Sequence, residues 1–252
     1  MKLWLFFVLL STPIFSQVYI LGYPKSGNNL FCFSLSHILN EEIWMINPNA
    51  SLQRWFSPSL SATTTHSFLF SHAPYLLGLH QADQNRDHLI VIVRNYREAL
   101  IRFAIDTPSQ LKEFTPDKII SLLFQSLQAP TSCYQMGGYD YINILRCYDN
   151  WNPKTRTLIY YEDLLTDFES TMANCLMSLN VQECKFDEFV AHKEAYFKQC
   201  KESYRYGKTM SQGDLTYHQK TWLSLEMARR IDLLVQHKFP YYWNQYLQRY
   251  GV

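Results

Sequence analysis

The chain has 252 residues, a net charge of +1, and a composition that is 47% hydrophobic and 16% aromatic. That length and apolar content suit one packed domain and exclude disordered and fibrous classes. The near-neutral balance excludes binding of nucleic acid or an anionic membrane through bulk charge, so any positive potential must be local.

In chain order, Met1–Ser16 comes first: Lys2, the apolar run Leu3–Leu10, then Pro13 ahead of Ile14-Phe15-Ser16. Basic, apolar and small-residue parts in that order predict a signal peptide over 1–16, and so the secretory pathway, with the domain at 17–252. The alternative is an extra apolar strand or helix of a cytoplasmic domain. The run is too short to cross a bilayer as a helix, so no transmembrane span is expected.

Val18–Leu21 predicts a buried strand that meets Gly22. Next come Pro24, Lys25, Ser26, Gly27, Asn28 and Asn29, and a helix is predicted over Asn28–Leu39. Strand, Gly-bounded basic loop and helix together aim backbone N–H groups and a positive helix end at a phosphate-like anion. Gly22 and Gly27 have Walker spacing, but Asn28 stands where a Walker lysine belongs.

Further strands are predicted at Ser67–Ser71, Leu89–Val93 and Thr157–Tyr161, all short continuous apolar runs. A helix is predicted at Tyr96–Phe103, and another where Thr115-Pro116 supplies an N-cap and a first-turn proline ahead of Ile119 and Leu122. Thr166–Glu169 reads as a capping box for a helix carrying Phe168, Met172, Cys175 and Leu179, and the chain from Leu223 onward reads as helical. This alternation predicts a three-layer α/β/α domain with a mainly parallel central sheet. Trp44–Thr65 and Thr131–Tyr139 read as substrate-facing loops, where Trp44, Trp55 and Phe56 either line an apolar pocket or pack in the core. The six cysteines lack Cys/His ligand spacing and read as small buried hydrophobes, with no metal expected.

Ligands of such sheets bind beyond the carboxyl ends of the strands. There the sequence places the Lys25 loop, His72, Arg94, and Glu162-Asp163. Two cations and a histidine describe a site for an anionic ligand and a proton acceptor. Each also has a structural reading: a solvated lysine, an arginine paired with a carboxylate, a core histidine, and acids that support a helix N-terminus.

Taken together these segments resemble the sulfotransferases that use 3′-phosphoadenosine 5′-phosphosulfate (PAPS). Tyr23–Asn29 resembles the family's YPKSGTT-type loop, and Val93-Arg94-Asn95 resembles its 3′-phosphate segment. Ser71–Leu77 resembles the motif around the catalytic histidine, and Tyr160–Leu164 is similar to the YED segment beside the adenine. Arg205-Tyr206-Gly207 with Gly213-Asp214 resembles the closing RKGxxGDW segment. The matches are co-linear over roughly residues 18–215.

The resemblance implies a P-loop NTPase-like sulfotransferase fold, PAPS as co-substrate, and no metal. It implies His72 and Lys25 as catalytic residues. For the donor it implies Lys25, Ser26, Gly27, Asn28, Asn29, Arg94, Arg102, Tyr161, Phe197, Arg205, Tyr206 and Gly207. The acceptor is a small molecule or glycan offering a hydroxyl or amine; the oligomeric state is not implied. Departures are Asn28 and Asn29 for two threonines, Leu30 for an adenine-contacting Trp, Phe70 for a Lys, and Arg102 for a Ser. Two other readings stay open: a non-catalytic nucleotide- or sulfate-binding module, and a P-loop small-molecule kinase with Asp163 at Mg²⁺.

Overall fold

In the computed structural model the described residues are 17–46, 52–58, 68–104, 115, 117–118, 121, 140–181, 183–203 and 224–252. The expected leader, Arg205–Gly207 and the 131–139 segment lie outside them.

Six strands form one sheet in the order β3-β2-β4-β1-β5-β6: β1 Val18–Gly22, β2 Ile43–Ile46, β3 Leu52–Phe56, β4 Phe68–Ser71, β5 His88–Val93 and β6 Arg156–Tyr160. All neighbours run parallel except β2 and β3, whose antiparallel pairing makes β3 the edge. The expected mainly parallel α/β/α domain is what forms. The predicted helices appear as α1 Asn28–Leu39 and α2 Tyr96–Ala104, followed by α3 Tyr141–Asn150. Then come α4 Tyr161–Thr166, α5 Phe168–Ser178, α6 Phe186–Ala191, α7 Lys193–Ser203 and α8 Leu225–Lys238.

Period-two alternation divides the core. On β5, Leu89, Val91 and Val93 pack with Tyr96, Leu100, Leu145, Trp151 and Ile231 on one face. Ile90 and Ile92 face the other way, toward Phe31, Leu35, Phe168, Met172 and Phe189. Every residue of β5 is buried, which is why a continuous apolar run rather than an alternating one marks it.

Three expectations are corrected. Trp44, Trp55 and Phe56 lie on β2 and β3, not in substrate-facing loops, and the Trp55 ring lies tilted at 4.3 Å from that of Phe70. β3 escapes detection because its Leu52-Gln53-Arg54 stretch is solvent-exposed and carries no inward periodicity. The cap of α5 is Asp167, whose carboxylate accepts the Ser170 N–H; Thr166 instead ends α4 and donates to the Glu162 carbonyl. Tyr161 starts α4 rather than ending β6. At Thr115 the expected cap is present, with Lys118 N–H donating to Oγ1 at 3.3 Å; Asp117, Lys118 and Ser121 are helical, and Ile119 and Leu122 lie outside the described residues.

Cys32, Cys147, Cys175 and Cys200 are buried thiols, and burial pushes those of Cys175 and Cys200 up to about 12. Among the described residues no helix is long and apolar enough to cross a membrane, and no group of three His, Cys, Asp or Glu could hold a metal ion.

Two histidines, His88 buried and His72 half-buried, set an acid limit on this fold. Desolvation lowers His72 and His88 to about 4, against about 6.5 in an unfolded chain. Their stabilising contribution is complete above pH ~6.5 and is lost as pH falls from there through 4. Each steepens the loss by up to about 1.4 kcal/mol per pH unit. Urea midpoints should therefore fall markedly between pH 7 and pH 5; equal midpoints would refute this.

Candidate active site

The loop between β1 and α1 is built from backbone conformations that its residues have to be held in. Lys25 sits at φ 69° and Gly27 at φ 84°, both left-handed. For Lys25 that costs about 1–2 kcal/mol, so other contacts must fix it. Ser26 N–H donates to the Tyr23 carbonyl at 3.1 Å and Asn28 Nδ2 donates to the same oxygen at 2.9 Å. Arg94 Nη1 donates to the Lys25 carbonyl at 3.2 Å.

Gly27 is required for a second reason: a Cβ there would lie 1.9 Å from the Tyr161 ring. Gly27→Ala should cost about 2–4 kcal/mol, from left-handed strain plus overpacking. Chemical denaturation checks this, and a wild-type midpoint would exclude the packing described.

The loop leaves its donors pointing outward. The first bond of α1 runs from Phe31 N–H to the Gly27 carbonyl at 3.2 Å, so the N–H groups of Asn28, Asn29 and Leu30 have no helical acceptor. Among the described residues no side chain caps this end. Ser26 Oγ is buried and has no hydrogen-bond partner among the described residues. The Lys25 side chain is exposed. A hydroxyl, several N–H groups and an ammonium form a donor set that fits a phosphate-type anion.

His72 follows β4 and is half-buried. Its Nδ1 lies 2.6 Å from the Gly22 carbonyl, an acceptor, so the proton is on Nδ1 and Nε2 carries the lone pair. Burial pulls its pKa down to about 4; the Lys25 charge lowers it further and the Gly22 carbonyl opposes. The imidazole is therefore neutral at pH 7, the state a proton acceptor needs. Phe70 meets it edge-on at 4.9 Å.

Arg94 is almost fully buried. Besides the Lys25 carbonyl it pairs with Glu98 at 3.5 Å and lies 4.5 Å above the Tyr161 ring. Arg94, Tyr161 and the loop are thus one packed unit. The reading of Arg94 as an arginine paired with a carboxylate holds at Glu98, which the sequence shows only through i,i+4 spacing on α2. Tyr141, whose hydroxyl donates to the Arg94 carbonyl, leaves no local signal at all.

The other residues singled out in the sequence take the following places. Asn28 turns its amide donor inward to Tyr23, leaving its backbone N–H rather than its side-chain donor for an anion. Phe197 packs edge-on to Phe168 at 5.2 Å and belongs to the core under α1. Leu30 is buried. Arg102 lies on α2, but its side chain is outside the described set.

No protein-family model and no curated protein matches the chain. Solved structures do. Mouse sulfotransferase SULT7A1 complexed with PAP superposes with a TM-score of 0.63 at 15% identity, covering 93% of this chain and 89% of the other. This chain has the sulfotransferase fold. Retinol dehydratase in complex with retinol and PAP is also similar, with a TM-score of 0.53, 12% identity, and coverage of 88% and 80%. Asp163, the carboxylate that the kinase alternative would place at Mg²⁺, is paired bidentately with Arg249 at 2.5 and 3.1 Å.

Proposed function

We propose that this protein is a PAPS-dependent sulfotransferase acting on a hydroxyl or amine of a small-molecule acceptor. The observation that carries this reading is the joining of a neutral, Nδ1-anchored His72 to the Lys25 loop through Gly22. PAP in both similar structures supports the donor, and retinol in one supports a small-molecule acceptor. PAPS, when bound, supplies an activated sulfuryl group.

The chain's own residues do the rest by positioning and electrostatics. His72 Nε2 takes the proton of the acceptor as its oxygen or nitrogen bonds to sulfur. The S–O bond to the 5′-phosphate breaks, and its electron pair stays on that phosphate. Lys25, Ser26 and the first N–H groups of α1 stabilise the charge that collects there. Arg94, with Arg102, Arg205, Tyr206 and Gly207, is assigned to the 3′-phosphate side, and Tyr161 to the adenine side. A labelled-PAPS transfer assay over alcohols, phenols and amines, run beside PAP calorimetry, tests the reading. Transfer supports it; saturable PAP binding without transfer favours a binding module; thermal stabilisation by ATP with Mg²⁺ but not by PAP favours a kinase.

A further inference from the structure

The register between β5 and β6 ends at Val93 and Tyr160. Beyond that pair the backbones that carry Arg94 and Tyr161 have no ladder to hold them together. One carboxylate takes over. Glu162 Oε1 accepts the Asn95 N–H at 2.8 Å, and its Oε2 accepts the Tyr250 hydroxyl at 2.8 Å. Arg97 then donates to the Tyr250 carbonyl at 2.6 Å. The neighbouring residues repeat the arrangement: Arg249 grips Asp163 and lies 4.0 Å above the Tyr160 ring. Consecutive acids on α4 are thus met by consecutive residues near the C-terminal end of the chain. Arg94 and Tyr161 each stand one residue from the shared contact.

We propose that Glu162, braced by Tyr250, is a positioning residue for the donor nucleotide: it holds Arg94 and Tyr161 in the relative placement that steadies the Lys25 loop. The proposal rests on the sulfotransferase reading. A site ordered beforehand binds more tightly because binding does not have to order it. Glu162 itself is spent on Asn95 and Tyr250, so its effect reaches the ligand only through its neighbours.

Calorimetric titration of PAP into the wild-type protein and into Glu162→Ala, Glu162→Gln and Tyr250→Phe tests this. Glu162→Ala should weaken PAP by about tenfold, the scale of one hydrogen bond to a charged group. Tyr250→Phe should act in the same direction but less, and Glu162→Gln should recover most of the affinity because its carbonyl still accepts the Asn95 N–H. In transfer assays the KM for PAPS should rise while kcat and the acceptor KM stay put, a split that general destabilisation would not produce. Wild-type affinity in Glu162→Ala overturns the inference and leaves the sulfotransferase reading standing. If Glu162→Ala does not fold, Tyr250→Phe decides, and unchanged PAP affinity there overturns the inference. A wild-type protein that does not bind PAP overturns the underlying reading and this inference with it.

Discussion

His72→Ala is expected to lower turnover by about 10²-fold or more while PAP binding is largely kept. The variant removes the one group whose Nδ1 is anchored on the Gly22 carbonyl and whose Nε2 holds a lone pair. Donor affinity should survive because the anion-facing groups, Ser26 Oγ, Lys25 and the first N–H groups of α1, are untouched. The pH profile sharpens the test. With its pKa lowered to about 4, His72 is neutral across the physiological range. The acid limb of kcat/KM should then fall below the ordinary histidine value of about 6.5. Donor phosphates beside the imidazole favour its protonated form, so the limb of kcat should lie higher than that of kcat/KM. Transfer rates measured with PAP calorimetry on the same samples check both statements. Near-wild-type turnover, or a parallel loss of PAP affinity, would remove His72 from the role of base.

The second large effect is at Lys25. Lys25→Ala should cost about 10²–10³-fold in turnover, the usual loss when one preorganised donor to developing charge is removed. Stability should hardly change, because the side chain is exposed and the substitution leaves the left-handed backbone at 69° with another L residue. Lys25→Arg, which keeps the charge, should restore part of the rate. Phe70, which stands where the resemblance implies a lysine, is fully buried. In the proposed reaction Lys25 is therefore expected to carry more of the charge stabilisation. A solvated loop lysine would give wild-type kcat in the alanine variant, and single-turnover kinetics separate the two.

Much of this was legible beforehand because it is encoded locally. The β5 strand is a continuous apolar run, the α1 helix begins where Gly27 ends the loop, and both need only neighbouring residues to specify them. The loop's basic, glycine-bounded character is equally local. Edge strand β3 was hidden because Gln53 and Arg54 face solvent, so pairing with β2 rather than burial makes it a strand. How Asn28 would serve an anion is not legible in one dimension, because an amide next to an anion site and an amide stapling its own turn look alike there. Only the position of the Tyr23 carbonyl, 2.9 Å away, decides between them.

Sequence alone determined the α/β alternation, the strand ends that gather Lys25, His72 and Arg94, and the family they resemble. The first two follow from hydrophobic period and from the rule that parallel strands bring their carboxyl ends to one edge; the resemblance rests on the motif segments themselves. Tertiary structure decided what each group has left to offer. It put the His72 proton on Nδ1, committed Arg94 to the Lys25 carbonyl and Glu98, and tied Glu162 to Tyr250 across 88 residues of chain. The reason is physical: a side chain's chemistry depends on burial and on which lone pairs and protons are already used, and those are set by residues distant in sequence.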